Sequence, residues 1–179
     1  MPSNHYLLDT HCLIWFQENN PKIPFQVMEI IQKPENIIYF SQISLFEISI
    51  KQSLGKLIHF DITIEDIYHQ AIVDGFTFLP IENSSIFNYG SIPLLNEHRN
   101  PFDRLLISSA IQKEATLLSA DEKFKLYTNI LKLLWYQFNS KHENPLYHSL
   151  SHDAKLLFIS QKPNFNRLRK LRHSTIKRC

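Results

Sequence analysis

The sequence contains few glycines and few cysteines for its length. Among 179 residues there are three glycines, Gly55, Gly75 and Gly90, and two cysteines, Cys12 and Cys179. The glycines are too far apart to form a Walker loop, a dinucleotide-binding fingerprint or a nucleophile elbow. Two cysteines, one of them the last residue, cannot build a disulfide framework or a cysteine zinc site within one domain. We therefore expect neither a nucleotide-cradling loop nor thiol chemistry.

Long apolar runs are also missing. The first residues lack the basic and apolar regions of a secretory signal, and no stretch of about 18 apolar residues is present to span a membrane. We therefore expect a cytoplasmic protein without membrane contact. Hydrophobic residues make up 44% of the chain and charged residues 20%, which provides enough apolar surface for one globular domain.

Charge is divided unevenly along the chain. Residues 1–140 hold 10 Lys and Arg against 15 Asp and Glu, a net charge of −5, whereas residues 141–179 hold 9 against 2, a net charge of +7. An acidic body that acts on a polyanion needs metal ions, whereas a basic tail can contact nucleic acid directly. We predict a folded domain at 1–136 and a basic C-terminal extension at 137–179. The extension is expected to be poorly ordered, with an auxiliary RNA-contacting arm as the alternative.

The body alternates short apolar strands with amphipathic helices. Strands are predicted at 5–9, 37–40, 76–79, 115–119 and 130–135. Helices are predicted at 11–18, 24–33, 43–54, 63–74, 85–95 (broken), 100–114 and 121–127. Short strands that are apolar throughout and separated by helices indicate a parallel sheet covered on both faces. The predicted fold class is therefore α/β, a three-layer α/β/α domain with about five parallel strands, in which ligands gather at the carboxyl ends of the strands.

Four carboxylates fall at this edge of the predicted sheet. Asp9 ends the first strand and Asp121 follows the fourth, while Glu47 and Asp103 lie in the first turns of helices. Each has a local explanation as a helix cap or capping-box residue. Capping requires no common focus, however, and clustered carboxylates are unfavourable unless a cation is bound. Hard oxygen ligands select Mg²⁺ or Mn²⁺, which indicates phosphoryl-transfer chemistry.

Four sequence blocks have the order and approximate spacing of a known family. They are YLLDTHCLIW, SQISLFEISIKQSLGKL, EHRNPFDRLLISSA and TLLSADEKFKLY, and they lie between residues 6 and 127. In these blocks the chain resembles the PIN-domain ribonucleases, and most closely the VapC-type toxins of bacterial toxin–antitoxin pairs. Where relatives commonly read H-R-D-P-F-D-R, this chain has Asn100 in the first acidic place. No block of the family falls in the C-terminal extension.

The resemblance implies a catalytic set made of the four acids. It implies that Asp9, Asp103 and Asp121 hold one or two Mg²⁺ ions, with Mn²⁺ as a possible substitute. Glu47 would bind the ion through water or orient the nucleophile. The expected reaction is endonucleolytic hydrolysis of an RNA phosphodiester by an activated water, which leaves a 5′-phosphate and a 3′-hydroxyl.

Supporting residues follow from the same resemblance. Thr10 and Ser119 match hydroxyl positions that hold the acidic set by hydrogen bonds. Lys51, Arg99 and Arg104 are expected to contact RNA phosphates, although each is also explained as a solvated cation near the acids.

Four further ring-bearing side chains near these blocks have structural interpretations. His11 and His98 are interpreted as hydrogen-bonding groups rather than general bases. Trp15 and Phe16 are interpreted as core or dimer contacts rather than surfaces on which bases stack.

The resemblance also implies protein partners. Toxins of this type pair with a small cognate antitoxin whose C-terminal segment masks the site, and they form a homodimer. Two alternatives stand beside this interpretation. One is a PIN nuclease that matures RNA or cleaves DNA outside a toxin pair, and the other is a catalytically inactive PIN interaction module. The presence of all four acids favours an active enzyme.

Overall fold

The computed structural model describes residues 4–57, 60 and 62–135. Its strands are β1 (His5–Leu8), β2 (Ile37–Ser41), β3 (Thr77–Leu79), β4 (Thr116–Ser119) and β5 (Leu133–Trp135). Its α-helices are α1 (Thr10–Gln17), α2 (Phe25–Gln32), α3 (Gln42–Ser53), α4 (Ile64–Val73), α5 (Asn83–Asn88) and α6 (Pro101–Gln112), and two 3-10 helices occupy Tyr89–Ser91 and Glu122–Tyr127. The C-terminal extension predicted from the sequence, 137–179, lies outside the described residues.

The five strands form one parallel sheet, as predicted. Their order is β3-β2-β1-β4-β5, and every neighbouring pair is parallel. Strands β2 and β3 therefore lie on one side of β1, and strands β4 and β5 lie on the other side. In parallel sheets a crevice opens where the winding changes direction, at the carboxyl ends of the strands. Here that place is the end of β1 and β4.

Helices cover both faces of the sheet. Leu7 and Leu8 are consecutive in β1, point to opposite faces and are both fully buried. Leu8 belongs to a core that includes Leu13 of α1 and Ile67 of α4, whereas Leu7 belongs to a second core that includes Leu106 of α6. The predicted three-layer α/β/α architecture is therefore confirmed.

Differences from the predicted elements are confined to short segments. The segment 85–95, predicted as a broken helix, forms α5 followed by a 3-10 turn. The segment 121–127 is a 3-10 helix rather than an α-helix. The last strand begins at Leu133 rather than at 130, because Ile130 still belongs to the preceding turn, where its backbone N–H bonds to the Tyr127 carbonyl at 2.9 Å.

The helices are short, and two of them end at a glycine as expected. Gly55 and Gly75 follow α3 and α4 with φ values of 65° and 85°, the left-handed conformation typical of the residue after a helix. The longest helices, α3 and α6, have 12 residues each. Within the described part of the chain, no helix combines the length and the apolar character that crossing a membrane requires.

Candidate active site

A cavity of about 270 Å³ opens at the carboxyl ends of β1 and β4. Its walls carry four carboxylates, three Lys and Arg side chains and two histidines. The lining residues are Asp9, His11, Glu47, Lys51, His98, Arg99, Asn100, Asp103, Asp121, Lys123 and Phe124. The structure therefore brings together the four acids that the sequence places at this edge of the sheet.

Asp9 is the most deeply buried acid of the cavity, with 4% of its surface exposed. It occupies the N-cap position of α1 but makes no capping hydrogen bond. Instead, its carboxylate accepts a 2.7 Å hydrogen bond from Ser119 Oγ. Burial raises the pKa of Asp9 to about 6; His11 and Ser119 act against this rise, and the charges of Asp103 and Glu47 add to it. The capping explanation therefore fails for Asp9, and a raised pKa of this kind is common among candidate functional residues.

Glu47 is held on both of its carboxylate oxygens. Oε2 accepts a 2.5 Å hydrogen bond from Thr10 Oγ1, and Oε1 lies 3.0 Å from Lys51 Nζ. Ser41 caps α3 by accepting from the Ile43 backbone N–H, so Glu47 lies in the second turn and takes no part in a capping box. The Thr10 hydroxyl, in the first residue of α1, thus donates its hydrogen bond to Glu47 and not to Asp9.

Asp103 lies in the first turn of α6, where its orientation is set by His98. Asn100 caps the helix through a 3.1 Å hydrogen bond from the Phe102 backbone N–H, which leaves Asp103 free of capping. His98 Nε2 lies 2.7 Å from Asp103 Oδ2. Burial raises the pKa of Asp103; the hydrogen bond from His98 acts against the rise, and the charge of Glu47 adds to it.

His98 is itself enclosed. Its ring is 2% exposed and packs edge-to-face against Phe124 and Tyr127, with both centroid distances at 5.5 Å. Its Nδ1 atom is buried and has no hydrogen-bond partner among the residues the structure describes. Nε2 faces the Asp103 carboxylate, which is a hydrogen-bond acceptor, so Nε2 carries the hydrogen of this bond. His98 therefore donates to Asp103, in agreement with the structural role predicted for it.

Asp121 is partly buried and caps the 3-10 helix that follows it. Its Oδ1 accepts from the Lys123 backbone N–H at 2.9 Å, at the start of the 3-10 helix. Its own backbone N–H donates to Ser119 Oγ at 3.1 Å. Ser119 therefore joins Asp9 and Asp121 through one hydroxyl, the type of supporting contact that the resemblance assigns to it.

Three basic side chains border the acids. Lys51 and Arg99 line the cavity as expected, and Lys123 lines it as well. Lys123 was not predicted from the sequence, although it stands two residues after Asp121 in the same block. Phosphate groups of a polyanion could meet these cations at the rim while the carboxylates remain inside.

Arg104 is placed elsewhere, which corrects the expectation that it contacts RNA. It is 8% exposed and lies outside the cavity lining. Its guanidinium stacks 4.3 Å from the Tyr89 ring centroid, donates to Tyr89 Oη at 2.9 Å and donates to the Ile92 carbonyl at 2.6 Å. Arg104 thus fastens the segment after α5 to α6.

The donor chemistry of the cavity fits a hard divalent cation. The available ligand atoms are carboxylate oxygens. Burial and the charges of Asp103 and Glu47 raise the pKa of Asp9, and a bound cation would offset both effects. Within residues 4–57, 60 and 62–135, no group of three or more His, Cys, Asp or Glu side chains is arranged closely enough to hold a metal ion by itself. Mg²⁺ commonly takes only one or two protein carboxylates and completes its shell with water and phosphate oxygens. The carboxylates of this cavity are compatible with that type of coordination, in which water and phosphate supply the remaining ligands.

A comparison with protein-family models identifies this arrangement. The model described as PIN domain matches residues 6–129, which includes all four acids and most of the chain. The chain belongs to the PIN domain family. PIN domains are nucleases, and thus hydrolases.

Solved structures share the fold of this PIN domain. The crystal structure of VapBC2 from Rickettsia felis, bound to a DNA fragment from their promoter, is 24% identical, covers 73% of this chain and 97% of that chain, and has a TM-score of 0.54. VapBC-1 from nontypeable Haemophilus influenzae is 20% identical, covers 74% of this chain and 98% of that chain, and has a TM-score of 0.52. At these identities the two structures establish the fold. A search of curated proteins found no significant match.

Proposed function

We propose that this PIN domain is a metal-dependent endoribonuclease that hydrolyses RNA phosphodiester bonds. The observation that carries the proposal is the shared cavity, in which the charges of Asp103 and Glu47 add to the raised pKa of Asp9, and the charge of Glu47 adds to the raised pKa of Asp103. Cations at the rim of the same cavity provide the means to hold a polyanion over acids that would otherwise repel it. Neither capping nor packing explains this combination.

The four acids have two tasks in this proposal, metal binding and orientation of the nucleophile. Asp9, Asp103 and Asp121 would hold Mg²⁺, or Mn²⁺ in its place. A divalent ion bound there supplies an activated water and neutralises charge on the leaving oxygen. Ser119 keeps the Asp9 carboxylate directed into the cavity, and His98 does the same for Asp103.

Glu47 is the acid best placed to act on the nucleophile. Its two oxygens are already held by Thr10 and Lys51, so its carboxylate keeps one orientation. From that position it would orient the attacking water and accept its proton. Phosphates flanking the scissile bond would contact Lys51, Arg99 and Lys123, and the products would carry a 5′-phosphate and a 3′-hydroxyl.

Metal removal tests the reaction directly. With Mg²⁺ present, the purified protein is expected to cut single-stranded RNA internally, and EDTA is expected to abolish cutting because the carboxylates alone cannot activate water. Mn²⁺ added in excess should restore it, and enzymatic end analysis should find 5′-phosphates. Cutting that continues in EDTA contradicts the proposed chemistry, and equal cutting of single-stranded DNA would favour a DNA nuclease.

We also propose that the protein is the toxin of a toxin–antitoxin pair. The two solved structures described above that share its fold are VapBC complexes. The partner would be a small antitoxin whose C-terminal segment covers the cavity. A small gene adjoining this one would support the pair, whereas its absence would favour a PIN nuclease with another task.

A homodimer completes the proposal. In the described part of the chain, Phe87 of α5 is the most exposed large apolar side chain, at 81%, and its neighbour Ile86 is 51% exposed. Exposed apolar groups of this kind favour association. A charge at this position would have to be buried in the interface, so Phe87→Glu is expected to convert a dimer of 21.2 kDa chains into monomers in multi-angle light scattering.

The control for this prediction is Val73→Glu, which adds the same charge at a 70% exposed apolar residue of α4. This variant should leave the dimer intact. A monomeric wild-type protein, or a Phe87→Glu variant that remains dimeric, would contradict the prediction.

A further inference from the structure

A row of two ring side chains flanked by two lysines leads away from the cavity. Lys51 Nζ, at the cavity wall, lies 3.3 Å from His11 Nε2. The His11 ring lies 5.9 Å from the Trp15 ring, centroid to centroid. Lys22 Nζ lies 5.1 Å from the Trp15 ring centroid. We call Lys51, His11, Trp15 and Lys22 the α1 row, because α1 carries its two rings.

The α1 row is accessible and firmly supported. The His11 side chain is 49% exposed, Lys22 is exposed, and Trp15 is half-buried. Trp15 rests against Trp135, which is fully buried, at a centroid distance of 5.5 Å. Its neighbour Phe16 is 8% exposed and belongs to the core. The core interpretation therefore accounts for Phe16, but it leaves part of Trp15 at the surface.

The turn after α1 fixes the outer end of the row. The Lys22 backbone N–H donates to Asn20 Oδ1 at 3.1 Å. Glu18, the acidic residue nearest to Lys22 in the sequence, accepts a hydrogen bond from Asn20 Nδ2 at 3.4 Å. Lys22 thus has its ammonium group over an aromatic ring, where it stays available to an anion.

We propose that the α1 row is a binding subsite for single-stranded RNA, which holds nucleotides on one side of the scissile phosphate; this rests on the proposed nuclease function. Proteins hold single strands by placing cations against phosphates and aromatic rings against bases. The row provides two rings with a lysine at each end, which meets that requirement. Lys51 connects the row to the acids. An apolar protein segment would find cations where it needs an apolar surface.

Binding of a labelled strand tests the subsite. A fluorescein-labelled single-stranded RNA of about 12 nucleotides is titrated with the full chain, with Ca²⁺ replacing Mg²⁺ and the RNA checked for integrity afterwards. Lys22→Glu is expected to weaken binding about three- to tenfold and to make the salt dependence shallower by about 0.7, the value for one phosphate contact on a single strand. The matched control is Lys33→Glu, an exposed lysine between α2 and β2 that belongs neither to the α1 row nor to the cavity lining, which should bind as the wild type does.

Tryptophan fluorescence provides an independent measurement of stacking. The chain has two tryptophans, and Trp135 is fully buried. Unlabelled RNA is expected to quench the emission of the wild type. Trp15→Phe should lose that quenching, while the ring keeps most of its packing against Trp135.

The outcomes separate the subsite from the nuclease function. Equal RNA affinity of Lys22→Glu and Lys33→Glu, or quenching that persists in Trp15→Phe, refutes the subsite while metal-dependent cleavage still supports the nuclease. A chain that neither binds nor cuts RNA refutes both. Loss of antitoxin binding in Lys22→Glu with unchanged RNA affinity would assign the row to a protein partner and also refutes the subsite.

Discussion

Asp9→Asn is expected to abolish RNA cleavage and, at the same time, to stabilise the metal-free protein at neutral pH. If Asp9 holds the proposed cation, the amide removes a negative oxygen that the cation needs, and the loss should exceed the roughly 10- to 100-fold cost of removing a group that only orients a metal ligand. Stability rises because the wild-type protein must keep a carboxylate ionised while it is 4% exposed. The same burial that makes Asp9 useful therefore makes the empty fold less stable.

The size of the stability gain follows from the pKa of Asp9. The folded protein raises this pKa from 3.8 to about 6, and each pKa unit corresponds to about 1.36 kcal/mol, so the neutral amide gains at most roughly 3 kcal/mol at pH 7. Between about pH 4 and pH 6 the folded state binds a proton that the unfolded state has lost. The free energy of unfolding of the wild type therefore falls as pH rises through this window, and the gap to Asp9→Asn widens until it is complete above pH 6.

Urea unfolding in EDTA at several pH values measures this gap. Glu29→Gln, a matched replacement at an exposed residue of α2, should match the wild type in cleavage and in its pH dependence. Addition of Mg²⁺ should stabilise the wild type more than Asp9→Asn, because binding to the folded state adds to the unfolding free energy. An Asp9→Asn variant that is less stable at every pH, or that still cuts RNA, would contradict the prediction.

His98→Leu is expected to lower metal affinity and cleavage about 10- to 100-fold, the usual cost of losing a group that orients a metal ligand. His98 donates a 2.7 Å hydrogen bond to Asp103, and leucine leaves that carboxylate free to rotate. The leucine side chain still fills the space between Phe124 and Tyr127. Calorimetric titration with Mn²⁺ and cleavage kinetics measure the two effects.

His98→Gln provides the conservative variant. Its amide N–H can reach the Asp103 carboxylate, so it should recover part of the Mn²⁺ affinity that His98→Leu loses. The control is His69→Leu, at a histidine of α4 whose side chain is 67% exposed; this variant should behave as the wild type does. Thermal unfolding of all variants separates a loss of folding from a loss of orientation. Equal Mn²⁺ affinity in His98→Leu and the wild type would show that His98 only fills space.

Most of the fold was predictable because its signals are local. Short apolar strands alternate with amphipathic helices, and Gly55 and Gly75 end two of those helices where the pattern stops. The convergence of the four acids was predictable for the same reason, since parallel strands place their carboxyl ends at one edge. These features depend on residue order rather than on individual side-chain directions.

The contacts inside the site were less predictable because distant segments decide them. The orientation of His98 depends on rings at Phe124 and Tyr127, which arrive in a later 3-10 helix. Arg104 stands next to Asp103 in the sequence, yet Tyr89 draws it away from the cavity. Spacing alone shows neither contact.

The central position of β1 has a consequence for protein synthesis. Asp9 leaves the ribosome 110 residues before Ser119, whose hydroxyl donates a hydrogen bond to its carboxylate, and β1 lies beside β4. A nascent chain therefore lacks a working cleft until nearly all of the folded domain has emerged.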